Sequence, residues 1–440
     1  MRKLSILACF ILLASPLAIT HANAATPKLG GACSKVGSFG DTPKERFVCV
    51  KSGKKLVWGV WKNPNSNNNS ASKGSTTPTP APVTTPTPAP AVFKAPIPIT
   101  LPAAQGQITF ANITDHLTDI PTAAYNNYEA AISASALPTI PYDIFISSDI
   151  AGSISKSHVS ALIDRSLKLF AGFQAPTYFA VYIYDYKGIS WAENKYEENA
   201  QTRKYSLIKN YNDRFAHDVD GTCNSQNCGG TSAGMIRGSN EGYMAIAVDS
   251  GGDPEGFLSS PNVPHSFIHL IQKSQWDGTQ IDDVNRYQNS VMPFWFFEGV
   301  SQGPALIFTK SLQSYLESRR WVLYRLGGTG LKNLSAQAMT NYLLSGSSTK
   351  TIDVNGNQIA GDGGPGSVMG NLGNPIGGLA VEALAAIAGP QSLMALTALV
   401  ANGSSMEDSF LKVYGVSWIQ GTQVLGQVIA VELKQNPPTP

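Results

Sequence analysis

The sequence predicts an α+β fold: a mixed sheet followed by a mostly helical half, with a small β module set ahead of it on a linker. Three observations carry this. Runs rich in β-branched and aromatic residues at 142–147, 178–184 and 242–248 read as strands, and a helical apolar spacing at Val159, Leu162, Ile163 and Leu167 falls between the first two. From about residue 311 onward, apolar periodicity and helix stop and start signals dominate. Between these segments and the N-terminal residues lies a Pro/Thr-rich stretch that cannot form a core.

In chain order, residues 1–24 read as a signal peptide. Arg2 and Lys3 precede the apolar run 4–19, and Ala22-Asn23-Ala24 offers a small-residue cleavage site, so the mature chain is expected to begin near Ala25. The apolar run continues past Cys9, which argues against lipid attachment there. The expected destination is outside the cytoplasm of a bacterium, secreted or associated with the cell envelope. No later run qualifies as a membrane span; the best, 381–400, carries Glu382 and is broken by Gly389-Pro390.

Loss of Arg2 and Lys3 leaves 30 of the 32 basic residues against 30 acidic ones. A near-neutral chain has no basic stripe for nucleic acid and no charge bias toward membranes. Four cysteines stay after Cys9 is removed, and in an exported protein Cys33 with Cys49 and Cys223 with Cys228 are expected to form two local disulfides. Zinc binding by these cysteines is a weaker reading, since neither pair has a second ligand pair nearby.

Residues 25–63 form the small module. Phe47–Val50, a turn at 51–55 and Leu56–Trp61 read as a β-hairpin stapled by Cys33–Cys49. Its Trp and Lys residues suit contact with cell-wall polymer, although a stapled hairpin without separate activity explains them equally. Residues 64–104 are a semi-rigid spacer, with Thr-Pro-Thr-Pro-Ala-Pro at 77–82 and again at 85–90. Residues 105–435 are the main unit. Within it 219–234, rich in Gly, Asn, Ser and Asp, reads as loop. Helices are expected over 311–326 and 376–388, the second stopping at Gly389. Pro390 starts another that ends at Asn402-Gly403. Ser404–Glu407 and Ser417–Gln420 read as capping boxes, and Asn355-Gly356 as the turn of a hairpin over 352–359.

The chemistry concentrates at His265-Ser266-Phe267-Ile268-His269 and at Glu298 in Phe294-Trp-Phe-Phe-Glu-Gly-Val-Ser-Gln302. Two histidines four apart on a helix project from one face, and a carboxylate from a later segment can close a three-ligand zinc site with an open position. Gln302, four residues beyond Glu298, is placed to orient a ligand histidine. Strand 242–248 precedes the motif, where a substrate-binding edge strand is expected.

These residues resemble the gluzincin clan of zinc metallopeptidases, the peptidase MA-like group. Members carry V-x-H-E-x-x-H-x-x-Q on a helix and then W-x-x-E-G-x-A. Val263, His265, His269 and Gln272 match the first motif, and Trp295, Glu298 and Gly299 match the second. Further likeness lies at 378–384, Gly389, 393–399, Gly403, Phe410, Tyr414-Gly415 and Ser417-Trp418, so it spans roughly residues 140–435. The resemblance implies zinc as cofactor, with His265, His269 and Glu298 as ligands.

Ser266 departs from the pattern: it stands where the family carries the glutamate base. The loss removes the proton acceptor and not a ligand. General-base assistance is worth ~10²–10⁴-fold, so the expectation is a degenerate metallopeptidase that keeps zinc, hydrolyses little and binds peptide or cell-wall components. The alternatives are a zinc hydrolase using a relocated base, such as Asp249, Asp253 or Glu255, and a metal-free structural or adhesion protein.

Other signals are weaker. Gly299-Val-Ser-Gln-Gly303 has the G-x-S-x-G form, but no histidine follows His269, as an α/β-hydrolase triad would require. Gly230-Thr-Ser-Ala-Gly234 repeats the pattern at Ser232, yet the preceding residues read as loop, and a glycine-rich disulfide loop explains it. Asp218–Gly221 and Asp353–Asn357 lack the glutamate of a calcium loop. His116, His158 and His217 are isolated.

Overall fold

The computed structural model describes, in its first unit, residues 28, 31–33, 39–41, 46–52 and 55–60. In its second it describes 107–199, 223–224, 227–236, 240–248, 261–277, 292–308, 311–328, 333–345, 351–352, 358–359 and 373–435. The signal peptide, the Pro/Thr spacer, His217, Asp218–Gly221, Asp353–Asn357 and the acidic candidates Asp249, Asp253 and Glu255 lie outside the described residues. The chain divides into two compact units, Met1–Thr87 and Pro88–Pro440.

The first unit is an antiparallel sheet of β1 (Phe39–Asp41), β2 (Arg46–Ser52) and β3 (Lys55–Val60), with Cys49 opposite Trp58 in register. The hairpin of β2 and β3 was legible; β1 was not, since it is only three residues long. Segment 31–33 runs along the far side of β3, where Trp58 N donates to Gly31 O at 2.8 Å and Cys33 N to Leu56 O at 3.2 Å. Cys33 and Cys228 are each disulfide-bonded. The side chains of Cys49 and Cys223 lie outside the described residues.

The second unit is α+β. Its sheet, in the order β4 (Tyr142–Ile146), β5 (Tyr178–Tyr184), β9 (Glu241–Ala247), β8 (Gly230–Ile236), is parallel except for β8, which runs antiparallel to β9. Every residue of β5 is buried, as an interior parallel strand covered on both faces should be. Successive side chains take opposite sides. Phe179, Val181, Ile183, Met244 and Ile246 join the main core, while Tyr178, Tyr182, Tyr184 and Tyr243 form a second cluster. That second cluster includes Ala192 and Tyr196 of α3 (Ile189–Glu198).

Two expectations are corrected here. Residues 230–234 are strand and not loop, and they make β8 an edge strand, whereas β9 is interior. Gly, Ser and Ala have weak strand propensity alone, but pairing along β9 overrides it. Small size is also required at this edge: a Cβ on Gly234 would lie 2.3 Å from Cζ of Tyr243. A further short ladder, β6 (Cys223–Asn224) with β7 (Asn227–Cys228), sets Cys223 opposite Cys228.

Among the described residues eleven α-helices complete the unit. Two precede α3: α1 (Ile120–Ala134) and α2 (Lys156–Leu169), whose N-cap Ser155 accepts from His158 N. Next in the chain are α4 (Asn262–Ser274), α5 (Phe294–Phe308), α6 (Leu312–Gly328) and α7 (Ala336–Ser345). After the short ladder of β10 (Thr351–Ile352) and β11 (Gln358–Ile359) come α8 (Gly373–Ala388), α9 (Gln391–Ala401), α10 (Met406–Tyr414) and α11 (Trp418–Lys434).

The stop at Gly389 is a left-handed residue with φ 76°, a conformation cheap only for glycine. The capping box at Ser417 and Gln420 is complete. The cap of α10 is Ser405, receiving Asp408 N, and not Ser404, because the chain enters the helix one residue later than the pattern suggested. No single described helix is long and apolar enough to cross a membrane; the apolar stretch near Val381–Val400 is two helices bent by 107°.

Candidate metal centre

The site lies between α4 and α5. Helix α4 packs Val263, Phe267, Ile268, Leu270 and Ile271 into the core, with Phe267 against Phe179 of β5 at 4.8 Å between ring centroids. Pro264 falls in its first turn, where a missing N–H costs little. This burial turns His265 and His269 toward α5, with side chains only 14% and 12% exposed. Helix α5 is set by its crossing with α8. A Cβ on Gly299 would lie 2.4 Å from the Gly377 carbonyl oxygen, so the two backbones meet only because both residues lack one. Trp295, one turn earlier on the same helix, donates its indole N–H to Leu343 O at 2.9 Å and ties α5 to α7.

The three residues expected as ligands are brought together. Their ligand-capable atoms all lie within 4.8 Å of one another, forming a possible metal-binding triad. The Nε2 atoms of His265 and His269 are 3.0 Å apart, and Oε2 of Glu298 is 3.5 Å from each. A tetrahedral ion with bonds of ~2.0–2.1 Å needs ligand atoms about 3.3–3.4 Å apart. The donor set of two imidazoles and a carboxylate therefore fits zinc in both chemistry and spacing.

The surrounding hydrogen bonds sharpen this. Gln272 Nε2 donates to Phe297 O at 3.0 Å, which fixes the amide so that its Oε1 faces His269 Nδ1 at 2.9 Å. Gln302 Oε1 lies 3.1 Å from His265 Nδ1, as its spacing from Glu298 suggested. An amide oxygen only accepts, so each Nδ1 carries the hydrogen and each Nε2 presents a bare lone pair. Two lone pairs and a carboxylate oxygen at these distances repel unless a cation lies among them.

Burial and charge pull this cluster in opposite directions. Burial lowers the pKa of His269 despite the neighbouring Glu298 carboxylate. Burial acts to raise Glu298, but the two histidines it faces, His269 foremost, outweigh it and hold the carboxyl well below its usual range. The carboxylate thus calls for positive charge at the Nε2 atoms, while the dry surroundings resist an imidazolium.

Ser266 is 2% exposed, and its Oγ donates to Thr231 Oγ1 of β8 at 2.6 Å. Thr231 in turn donates to Asn262 O at 3.3 Å. The hydroxyl at the usual base position is thus tied to the edge strand and has no capacity to take a proton near neutral pH. Among the described residues Glu298 is the only carboxylate in the cluster.

Ser301 lies inside α5, fully buried, and is no nucleophile elbow; its Oγ donates to Gln272 Oε1 at 2.8 Å. Ser232 lies within strand β8 rather than at a strand-to-helix turn. His116 pairs with Asp119 at 3.0 Å, away from the cluster. Thr231 and Ser301 are the site residues that sequence reasoning missed. Helical spacing could have found Ser301, three residues after Glu298. Thr231 is 35 residues from its partner and carried no signal.

No family model matches this chain, and no curated protein or solved structure matches it either.

Proposed function

We propose that His265, His269 and Glu298 hold a zinc ion in a gluzincin-like domain that has lost its general base. The exported protein, stapled by Cys33–Cys49 and Cys223–Cys228, would then use the site to bind peptide or cell-envelope components, with little hydrolysis. The observation that carries the reading is the convergence of two Nε2 atoms and one carboxylate oxygen at 3.0, 3.5 and 3.5 Å, with both Nδ1 atoms turned to amide oxygens. The mixed sheet with an antiparallel edge strand beside α4 supports the family resemblance.

When bound, zinc would supply a Lewis acid with an open position for a ligand oxygen. The chain's own residues set the rest of the chemistry. Gln302 and Gln272 orient the imidazoles, Glu298 provides the negative charge, and Ser266 gives a hydroxyl whose hydrogen is already committed to Thr231. Binding is served by this arrangement; proton abstraction is not.

The test pairs zinc content with catalysis. Purified wild type should hold one zinc per chain and lose it on His265→Ala. Ser266→Glu should keep the metal and gain peptidase activity by ~10²-fold or more, the share general-base assistance supplies. Wild type without zinc would sink the metal reading. Efficient cleavage by zinc-loaded wild type would sink the degenerate one and favour a relocated base.

A further inference from the structure

His269 is held more elaborately than a ligand needs to be. Its Nδ1 meets two oxygens, Gln272 Oε1 at 2.9 Å and Ser301 Oγ at 3.0 Å. Gln272 is fully buried, and all of its polar capacity on this side is committed: its Nε2 donates to Phe297 O, while its Oε1 receives Ser301 Oγ. The Phe297 ring lies nearly parallel to the His269 imidazole, 4.6 Å between centroids and 19° between planes. The helical spacing makes this one interlocked unit. Helix α4 supplies positions 265, 269 and 272 along one face, and α5 supplies 298, 301 and 302.

We propose that Gln272, locked by the Phe297 carbonyl and the Ser301 hydroxyl, is the positioning residue that fixes His269 as the Nδ1–H tautomer and aims its Nε2 into the cluster. The inference rests on reading the cluster as a metal centre, but the tautomer is set by the amide whether or not metal is present. Counting donors leads to this assignment. Phe297 O can only accept, so the amide N–H₂ must face it and Oε1 must face the ring. With the Ser301 hydrogen given to Oε1, the Ser301 oxygen also offers only a lone pair to Nδ1. Any hydrogen on Nε2 in place of Nδ1 would leave three oxygen and nitrogen lone pairs crowded at one buried point, an arrangement that costs the full desolvation of each group. Gln302 does the same for His265 with a single contact on a less buried side chain, so the two histidines are not held equally.

The test uses full-length protein with ¹⁵N-labelled histidine. In metal-free wild type, long-range ¹H–¹⁵N spectra should show His269 as the Nδ1–H tautomer. In a competitive chelator titration, Gln272→Ala should weaken zinc binding by ~10–100-fold, the usual cost of losing an outer partner of a ligand histidine. Ser301→Ala, which removes one hydrogen bond and leaves the amide, should weaken it by only about 3–10-fold. An Nε2–H tautomer in metal-free wild type overturns the proposal. So does a folded Gln272→Ala protein that binds zinc as tightly as wild type. If Gln272→Ala does not fold, the wild-type tautomer and the Ser301→Ala titration decide. If wild type takes up no zinc, the metal reading fails, and the tautomer still decides this one.

Discussion

A single carboxylate sets the charge balance of the site. Among the described residues Glu298 is the only acid in the cluster, and its ionised form is favoured by the two histidines it faces. Glu298→Gln keeps the size of the side chain and removes that charge. Zinc affinity should fall by more than the ~10–100-fold typical of an outer partner, and the rise in unfolding temperature on adding zinc should vanish. Calorimetry with and without metal, run beside wild type, measures both. At this scale the sequence was informative where chemistry and local spacing coincide. The i, i+4 histidines, Glu298, and Gln302 four residues beyond it are all short-range patterns on helices. The engagement of Ser266 by Thr231 was not legible, because nothing in either segment encodes the distance between them. In sequence Ser301 stood out only as a nucleophile pattern, since the role of a serine depends on what its hydroxyl meets.

Elements carry these residues to one place, and glycines decide how closely. Helices α5 and α8 cross backbone to backbone at Gly299 and Gly377. Gly299→Ala would put a methyl group 2.4 Å from the Gly377 carbonyl oxygen, a contact relieved only by moving a helix. The substitution should destabilise the protein by about 1–3 kcal/mol or more. Because Glu298 and Gln302 ride on the same helix, it should also weaken zinc binding. Chemical denaturation and a zinc titration on one sample distinguish this from simple loss of stability, since Gly403→Ala, at an open site with φ 91°, should cost stability and spare the metal. The sequence located most of the helices and the three long strands, because their periodicity and caps are local. It misplaced the edge of the sheet. Strand β8 is Gly-, Ser- and Ala-rich and is a strand only through its partner β9, against which Tyr243 covers Gly234.

Across the whole second unit, a buried charge network joins distant helices. Arg319 of α6 reaches Glu382 of α8 through Nε at 2.7 Å and Glu432 of α11 through Nη2 at 2.6 Å, and Tyr315 also donates to Glu382. One guanidinium thus serves two buried carboxylates. Burial pushes Glu432 up to about 7, with Arg319 opposing and Glu382 adding to the rise. The folded-state pKa lies above the unfolded one, so the stabilisation is fully present below the ordinary carboxylate range and is lost as pH rises through about 7. The metal-free protein should therefore melt at lower temperature at pH 8 than at pH 5.5, and Glu432→Gln should flatten that slope. Arg319→Met should cost about 3–5 kcal/mol, because it leaves buried carboxylates without their counter-charge. A Glu432→Gln protein whose melting temperature changes with pH just as wild type's does would refute this account. None of the network was visible in the sequence, where its members lie 63 and 113 residues apart. By itself the sequence determined the class of the fold, most of its helices and the three ligand-capable residues, because periodicity, capping and i, i+4 spacing are local properties of the chain. The tertiary structure alone decided which strand forms the edge, which amides lock the imidazoles and where Ser266 spends its hydrogen. Those outcomes depend on atoms meeting across long separations, where packing and hydrogen-bond accounting, and not local propensity, choose the partner.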